Sequence, residues 1–185
     1  MKIFFDTEFT GLYKNTSLIS IGCVDENGNT FYAEISDFDE SLCDDWIQHN
    51  VIGNLRFRKY GSVDTRAADG SWWNFKGPKK AVRNALTEWL NEYDSVEFVS
   101  DVCHFDMVLL IDLFEHAFNM PTHVNPACHD INQDIARYYN ITETAAFDKS
   151  REEILADEYI LIKGIKHNAL YDALVIKEIH NLINS

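Results

Sequence analysis

The stretch from Phe4 to Leu12, Phe-Phe-Asp-Thr-Glu-Phe-Thr-Gly-Leu, places two acids where an apolar strand ends. Ile3 to Phe5 is a short apolar run of the kind that forms a buried strand. Residues i and i+2 of a strand share a face, so the carboxylates of Asp6 and Glu8 are predicted to lie side by side. Two such anions repel each other unless one is protonated or a cation binds between them. The stretch therefore predicts a site for Mg²⁺ or Mn²⁺, which prefer oxygen ligands, or else a solvated acidic turn.

Length and composition predict a single domain over residues 1–185. The chain is 46% hydrophobic, enough for one buried core, and it contains no linker rich in Pro, Gly or Ser. Its cysteines, Cys23, Cys43, Cys103 and Cys128, lack the spacing of a zinc site or a disulfide framework. The chain opens with a strand rather than a signal peptide, and it has no apolar run that could span a membrane. A cytoplasmic protein is therefore expected.

The charge is distributed unevenly along the chain. The net charge is −14, which argues against a general binder of the phosphate backbone. Residues 56–83 nevertheless carry a local net charge of +6, which leaves −20 for the rest. The bases of this segment are Arg56, Arg58, Lys59, Arg66, Lys76, Lys79, Lys80 and Arg83. Because aromatic residues such as Trp72 and Trp73 lie among these bases, the segment is typical of a surface that binds single-stranded nucleic acid.

The order of predicted elements favours an α/β fold with a mixed sheet. Leu18–Val24 and Thr30–Ile35 are apolar strands joined by a turn with an Asn-Gly pair, a strong hairpin signal, so the first three strands should form an antiparallel meander. A fourth strand is predicted at Val96–Ser100. Helices are predicted over 41–48, 78–93, 105–118, 131–139, 151–156 and 169–183. Residues 54–76 are predicted to be an irregular insertion.

Two later stretches place further acids at element boundaries. Asp106 follows the fourth strand and lies in the first turn of the next helix, while His167 precedes the last helix and Asp172 lies in its first turns. Alone, an acid in a first helical turn is usually a partner of the helix dipole, and a lone loop histidine is usually solvated. An ordered set of Asp-x-Glu, Asp and His-x4-Asp indicates a functional site instead.

This set resembles the motifs of the DEDDh 3′-5′ exonucleases, a family with an RNase H-like fold. The opening motif is close to the family's Asp-x-Glu-Thr-Thr-Gly-Leu, with Phe9 as a departure. Phe105 and Asp106 match the second motif, although Asp101-Val102 replaces its usual His-Asn. His167 and Asp172 match the third motif. Within the family, the chain is most similar to a small bacterial and phage branch of 3′-exoribonucleases.

The resemblance implies a fold, a cofactor and a chemistry. The fold would contain a five-stranded sheet, a three-strand antiparallel meander followed by parallel strands, flanked by helices. Asp6, Glu8 and Asp172 would bind one divalent ion, Mg²⁺ or Mn²⁺, Asp6 with Asp106 would bind a second, and His167 would be the general base. The reaction would release nucleoside 5′-monophosphates from the 3′ end of single-stranded RNA or DNA, with RNA favoured.

The same resemblance implies contacts to the substrate. The backbone of Thr10, Gly11 and Leu12 would meet the terminal nucleotide, with the side chain of Leu12 against its base. The insertion at 54–76 would hold the strand upstream, with Trp72 and Trp73 stacked on bases. These tryptophans are equally consistent with core or interface positions, and the segment from 72 to 89 could form a homodimer. Asp101 is predicted to cap the helix that follows it.

Two other classes of protein remain open as alternatives. A HAD-type phosphatase also begins with an apolar strand that ends in two acids, and it would use Asp6, but its chemistry requires a lysine and gives no role to His167 and Asp172. A non-enzymatic acidic module that mimics nucleic acid would explain the charge but not the ordered acids. A kinase or ATPase is not indicated, because the chain has no glycine-rich phosphate loop.

Overall fold

The sheet is built outward from strand β1 (Lys2–Phe9). In the computed structural model, which describes residues 1–184, β1 pairs antiparallel with β2 (Leu18–Asp25), and β2 pairs antiparallel with β3 (Thr30–Ile35). The predicted meander is therefore confirmed. Ile3 and Phe5 point into the core on one side of β1, and Phe4 points into the core on the other side. Because both faces of β1 are covered, its acids reach solvent only where the strand ends.

Four more strands extend the meander into a mixed sheet of seven. β6 (Val96–Ser100) pairs parallel with β1, and β7 (Val124–Asp130) pairs parallel with β6. At the other edge, β5 (Trp72–Gly77) pairs parallel with β3, and β4 (Val63–Arg66) pairs antiparallel with β5. The strand order is β4-β5-β3-β2-β1-β6-β7. The strands β1, β3, β5, β6 and β7 consequently run in the same direction, and their carboxyl ends lie at the same end of the sheet.

The predicted α/β fold is confirmed, but the sheet has seven strands rather than five. Two of the seven strands, β4 and β5, come almost entirely from residues 54–76, which were predicted to be irregular. These strands are only 4 and 6 residues long, and Gly70 turns the chain between them with a φ of +77°. Short strands around a glycine turn give little hydrophobic alternation, so the sequence pattern did not reveal them.

Seven helices cover the two faces of the sheet in the described part of the chain. They are α1 (Asp45–Asn50), α2 (Lys79–Leu90), α3 (Cys103–Leu113), α4 (Ile131–Tyr139), α5 (Glu143–Asp148), α6 (Arg151–Asp157) and α7 (Ala169–Ile183). Helices α2 and α3 pack on the face that holds Ile3 and Phe5, whereas α4, α6 and α7 pack on the face that holds Phe4. Short 3-10 turns lie at 40–42, 52–54 and 117–119. None of the helices within residues 1–184 has the length and apolar character needed to cross a bilayer.

A glycine lets the last helix approach the sheet beside the acids of β1. Gly22 pairs with Asp6 in the sheet. A Cβ at Gly22 would lie 2.3 Å from the carbonyl carbon of Ala169 and 2.3 Å from the amide nitrogen of Leu170. The backbone of the first turn of α7 therefore rests directly on β2. This contact sets how far Asp172 lies from Asp6.

We expect Gly22→Ala to destabilise the protein, because the added methyl group would overlap backbone atoms that cannot move as a side chain can. Overpacking of this kind costs about 1–3 kcal/mol in the free energy of unfolding. Thermal unfolding of the variant should show a clear fall in Tm. Gly61→Ala is the matched control, because a Cβ at Gly61 would meet nothing within 4 Å. Equal melting temperatures for the two variants would contradict this account of the contact.

Candidate active site

Three carboxylates from two elements converge where β1 ends. One oxygen from each of Asp6, Glu8 and Asp172 lies within 4.8 Å of the other two. Asp6 and Glu8 share a face of β1, as their spacing predicts, and Asp172 comes from the first turns of α7. All three are carboxylate ligands and lie close enough together to share one ion. The donor set therefore fits a hard divalent cation such as Mg²⁺ or Mn²⁺.

The electrostatics of the three acids also fit a cation site. Burial, followed by the charges of Asp106 and Asp172, raises the pKa of Asp6 well above its usual range. Burial and the same two charges also raise the pKa of Glu8. Burial is the main reason that the pKa of Asp172 rises to about 7. Since these groups cannot all be ionised near neutral pH without compensation, a bound cation would complete the site.

Asp106 is anchored from two strands at once. It lies in the first turn of α3 and is only 3% exposed. One carboxylate oxygen accepts hydrogen bonds from the amide of Thr7 at 3.0 Å and from the Thr7 hydroxyl at 2.5 Å. The other oxygen accepts a hydrogen bond from the hydroxyl of Ser100. Burial raises the pKa of Asp106 to about 6, although these hydrogen bonds act to lower it.

Asp106 lines the same cleft as the three clustered acids, but its carboxylate is turned toward β1 and β6. Thr7 and Ser100 hold it there, and sequence reasoning assigned a role to neither residue. The available signal was the position of Thr7 between the two acids of β1, because side chains alternate across a strand. Thr7 therefore faces α3, the helix that carries Asp106.

His167 enters the cleft from the loop before α7. Its backbone has a φ of +62°, a left-handed conformation that residues other than glycine rarely adopt. Its ring meets the ring of Trp46 edge to face, with centroids 5.0 Å apart. Burial, together with the charge of Lys166, lowers the pKa of His167. A lowered pKa favours the neutral imidazole, which is the form that can accept a proton.

The four acids and the histidine that the motifs predict all line one cleft of about 320 Å³. They are Asp6, Glu8, Asp106, Asp172 and His167. Leu12 lies at the rim of the cleft with 72% of its surface exposed. Thr10 is buried, and its hydroxyl accepts a hydrogen bond from the amide of Ser17 at 2.9 Å, which shapes the loop. A side chain at Gly11 would overlap the ring of Tyr13. Thr10 and Gly11 thus position Leu12 at the cleft.

Asp101 does not cap α3, contrary to the sequence-based expectation. The N-cap residue is Val102, and no side chain caps this helix. The carboxylate of Asp101 instead forms an ion pair with Arg151, at 2.6 Å, across the cleft wall. Arg151 is 8% exposed, and its guanidinium also donates to the carbonyl of Ala146 at 2.7 Å. The buried guanidinium offers Asp101 a stronger partner than the free amides of a helix end.

The structure does not bring Trp72 and Trp73 to the acids. Both lie on β5, which β2 and β3 separate from β1, the strand that carries Asp6 and Glu8. Trp73 is 6% exposed, and its indole N–H donates to Asp64 at 2.8 Å. Trp72 is 41% exposed. The proposed homodimer through this surface stays a prediction.

The sequence is similar to 3′-5′ exoribonucleases. A family model described as the 3′-5′ exoribonuclease Rv2179c-like domain matches residues 1–183. The 3′-5′ exoribonuclease Rv2179c of Mycobacterium tuberculosis (strain ATCC 25618 / H37Rv) is 28% identical over 135 residues, which cover 72% of this chain and 73% of the relative. The match of the family model extends over nearly the whole chain, including every residue of the acidic cleft.

Solved structures show the same fold at low sequence identity. The nuclease domain of 3′hExo, a DEDDh family member bound to rAMP, superposes with a TM-score of 0.67 at 14% identity, covering 99% of this chain and 90% of that one. S. pombe Pop2p, in its Mg²⁺- and Mn²⁺-bound form, superposes with a TM-score of 0.60 at 17% identity, covering 100% of this chain and 82% of that one. These likenesses establish the RNase H-like fold expected from the sequence motifs.

The raised pKa values predict that stability without divalent cations falls as the pH rises. The pKa values of about 6 for Asp106 and about 7 for Asp172 in the folded protein exceed the ordinary value for an unfolded aspartate, about 3.9. At pH values between the unfolded and the folded pKa, the folded state holds more protons than the unfolded state. The free energy of unfolding therefore decreases as the pH rises through this range. In EDTA we expect a lower Tm at pH 8 than at pH 5.

Two comparisons test the origin of this pH dependence. Mg²⁺ should raise the Tm more at pH 8 than at pH 5, because cations compensate the ionised carboxylates. Asp6→Asn should flatten the dependence in EDTA, because it removes one charge from the cluster. A Tm in EDTA that rises from pH 5 to pH 8, with no response to Mg²⁺ at pH 8, would contradict the electrostatic account.

Replacement of Asp101 should lower stability, whereas replacement of Asp106 should abolish activity. Asp101→Ala leaves the buried guanidinium of Arg151 without its carboxylate, which should cost about 1–3 kcal/mol in the free energy of unfolding. Asp106→Asn keeps the shape of its site and should abolish nuclease activity. Asp112→Ala, which breaks an exposed ion pair with Lys79, is the control for stability. Loss of activity without loss of stability in Asp101→Ala would show that the roles are reversed.

Proposed function

Because the chain belongs to the family of Rv2179c-like 3′-5′ exoribonuclease domains, we propose that it removes nucleoside 5′-monophosphates one at a time from the 3′ end of single-stranded RNA. The observation that carries this proposal is the convergence of Asp6, Glu8, Asp106, Asp172 and His167 on one cleft. These residues are drawn from β1, α3, α7 and the loop before α7. A purely structural role would not require four poorly hydrated acids at one edge of a sheet.

The four acids are proposed to hold two divalent ions, Mg²⁺ or Mn²⁺. Asp6, Glu8 and Asp172 would hold one ion, in keeping with their mutual distances, and Asp6 with Asp106 would hold the other. When bound, such ions neutralise the phosphate and stabilise the attacking and leaving oxygens of an in-line displacement. The carboxylate of Asp106 would exchange part of its hydrogen bonding with Ser100 for this contact. Thr7 would retain the other oxygen.

His167 is proposed to be the general base. Its neutral imidazole would take a proton from the water that attacks the last phosphodiester phosphorus. The bond from phosphorus to the 3′ oxygen of the preceding nucleotide then breaks, and that oxygen takes up a proton to become a hydroxyl. The products are a nucleoside 5′-monophosphate and a strand shortened by one nucleotide. The lowered pKa of His167 supports this role, because it keeps the ring unprotonated.

The terminal nucleotide is proposed to occupy the cleft against Leu12, with the backbone of Thr10 and Gly11 beside it. Upstream nucleotides would leave the cleft toward the basic segment. Arg56, Arg58 and Lys59 are exposed there, and Tyr60 is 61% exposed beside them. These cations and this aromatic ring would contact phosphates and a base respectively. This surface begins two residues after Asn54, which contacts the loop of His167, whereas Trp72 and Trp73 lie on β5, with two strands between them and β1.

A single assay tests the proposed function. Matched single strands of RNA and DNA, labelled at the 5′ end, are incubated with the protein and Mg²⁺. We expect ladders that shorten from the 3′ end, more rapidly for RNA, and no reaction in EDTA or with Asp6→Asn. A small phosphomonoester should remain intact, because a phosphatase rather than an exonuclease would hydrolyse it. Full activity in EDTA, or an intact strand with a hydrolysed monoester, would overturn the proposal.

Replacement of His167 by Ala should lower kcat by about 10²–10⁴-fold, the usual contribution of a general base. The Mg²⁺-dependent rise in Tm should persist, because the carboxylates remain. His104→Ala is the control, since His104 is exposed at the start of α3 and contacts the ring of Phe105 rather than the acids. If His104→Ala abolished activity and His167→Ala did not, the assignment of the third motif would be wrong.

A further inference from the structure

Asn54 forms hydrogen bonds with the residues on both sides of His167, with the backbone of Lys166 and with the side chain of Asn168. The side-chain amide of Asn54 donates a hydrogen bond to the carbonyl of Lys166 at 2.9 Å. The backbone carbonyl of Asn54 accepts a hydrogen bond from the side-chain amide of Asn168 at 3.1 Å. His167 lies between these two contacts with its φ of +62°. A residue other than glycine keeps a left-handed conformation only where surrounding contacts hold it there. The hydrogen bonds of Asn54, which lies far from His167 in the sequence, are contacts of this kind.

Asn54 is itself held firmly. It ends the 3-10 turn at 52–54, and its side-chain amide also donates to the carbonyl of Asn50 at 2.5 Å. Val51 and Ile52, just before it, are buried in a small core with Ile19 of β2. The segment 45–54 is thus attached to the same sheet that carries Asp6 and Glu8. Asn54 therefore connects the loop of His167 to the sheet.

The same segment also contacts the imidazole directly. Trp46, in α1, places its ring edge to face against that of His167, with an interplanar angle of 73°. The segment 45–54 therefore holds the loop at the residue before His167, at the ring of His167 and at the residue after it. Neither Trp46 nor Asn54 carries a group suited to the chemistry of phosphate hydrolysis.

We propose that Asn54 is a positioning residue that acts through His167, with Trp46 as its partner on the ring. The inference rests on the proposed role of His167 as the general base. Without the amide of Asn54, the backbone at His167 relaxes toward an ordinary conformation and the imidazole turns away from the cleft. Proton transfer requires the base within hydrogen-bond reach of the attacking water, so the loss falls on kcat. The KM changes little, because Asn54 forms its hydrogen bonds with Asn50, Lys166 and Asn168, none of which is proposed to bind the strand.

The first test compares isosteric and truncating variants in the full chain. Asn54→Asp keeps the shape but cannot donate to Lys166, and Asn54→Ala removes the side chain. Both should lower kcat by about 10–100-fold, as expected for a misplaced catalytic group, with KM within about twofold of the parent. Asn50→Ala is the matched control, because it removes a hydrogen bond within the same segment, to the carbonyl of Trp46, without touching the loop. Its kcat should equal that of the parent.

A double-mutant cycle separates positioning from general destabilisation. In a His167→Ala background, Asn54→Ala should cause no further loss of kcat, because the base that it positions is gone. Trp46→Leu offers a second route to the same cycle if the Asn54 variants fail to fold. A full, multiplicative loss in both backgrounds would overturn the proposal while leaving His167 as the base. Full activity of His167→Ala alone would instead overturn the proposed function, and the positioning role with it.

Discussion

Four poorly hydrated carboxylates, those of Asp6, Glu8, Asp106 and Asp172, repel one another in the cleft. Asp6 and Glu8 end a strand that is covered on both faces, so water cannot screen them as it would on a surface. Asp106 and Asp172 add their charges from α3 and α7. Burial raises the pKa values of Asp6, Glu8 and Asp172, so protonation or a bound cation must compensate part of this charge.

Close backbone contacts give the acids their geometry. Gly22 admits the first turn of α7 directly onto β2, opposite Asp6. Thr7 and Ser100 bind Asp106 from two neighbouring strands, so the first turn of α3 is tied to the sheet. Both contacts join helices to strands that are themselves part of the core. The acids are therefore held by the rigid sheet, as the proposed two-ion site would require.

The distribution of charge is consistent with an enzyme that acts on a polyanion through cations. The chain as a whole is strongly acidic, with a net charge of −14, and would repel nucleic acid over most of its surface. The exposed cations at Arg56, Arg58 and Lys59 are concentrated beside the segment that holds His167. The proposed contacts to phosphates would therefore lie in the neighbourhood of the cleft. Elsewhere, the acidic surface disfavours unproductive contacts with phosphates.

Local periodicity and motif spacing within single elements were enough to predict the fold class, the meander and the grouping of four acids with His167. They did not predict the β4–β5 hairpin, the pairing of Asp101 with Arg151, or the burial of Trp73 in the core. The tertiary structure also revealed Asn54 and Trp46 beside His167. Such contacts join residues far apart in the chain, and a single sequence carries no periodic signal for them because their partners are chosen by packing in three dimensions.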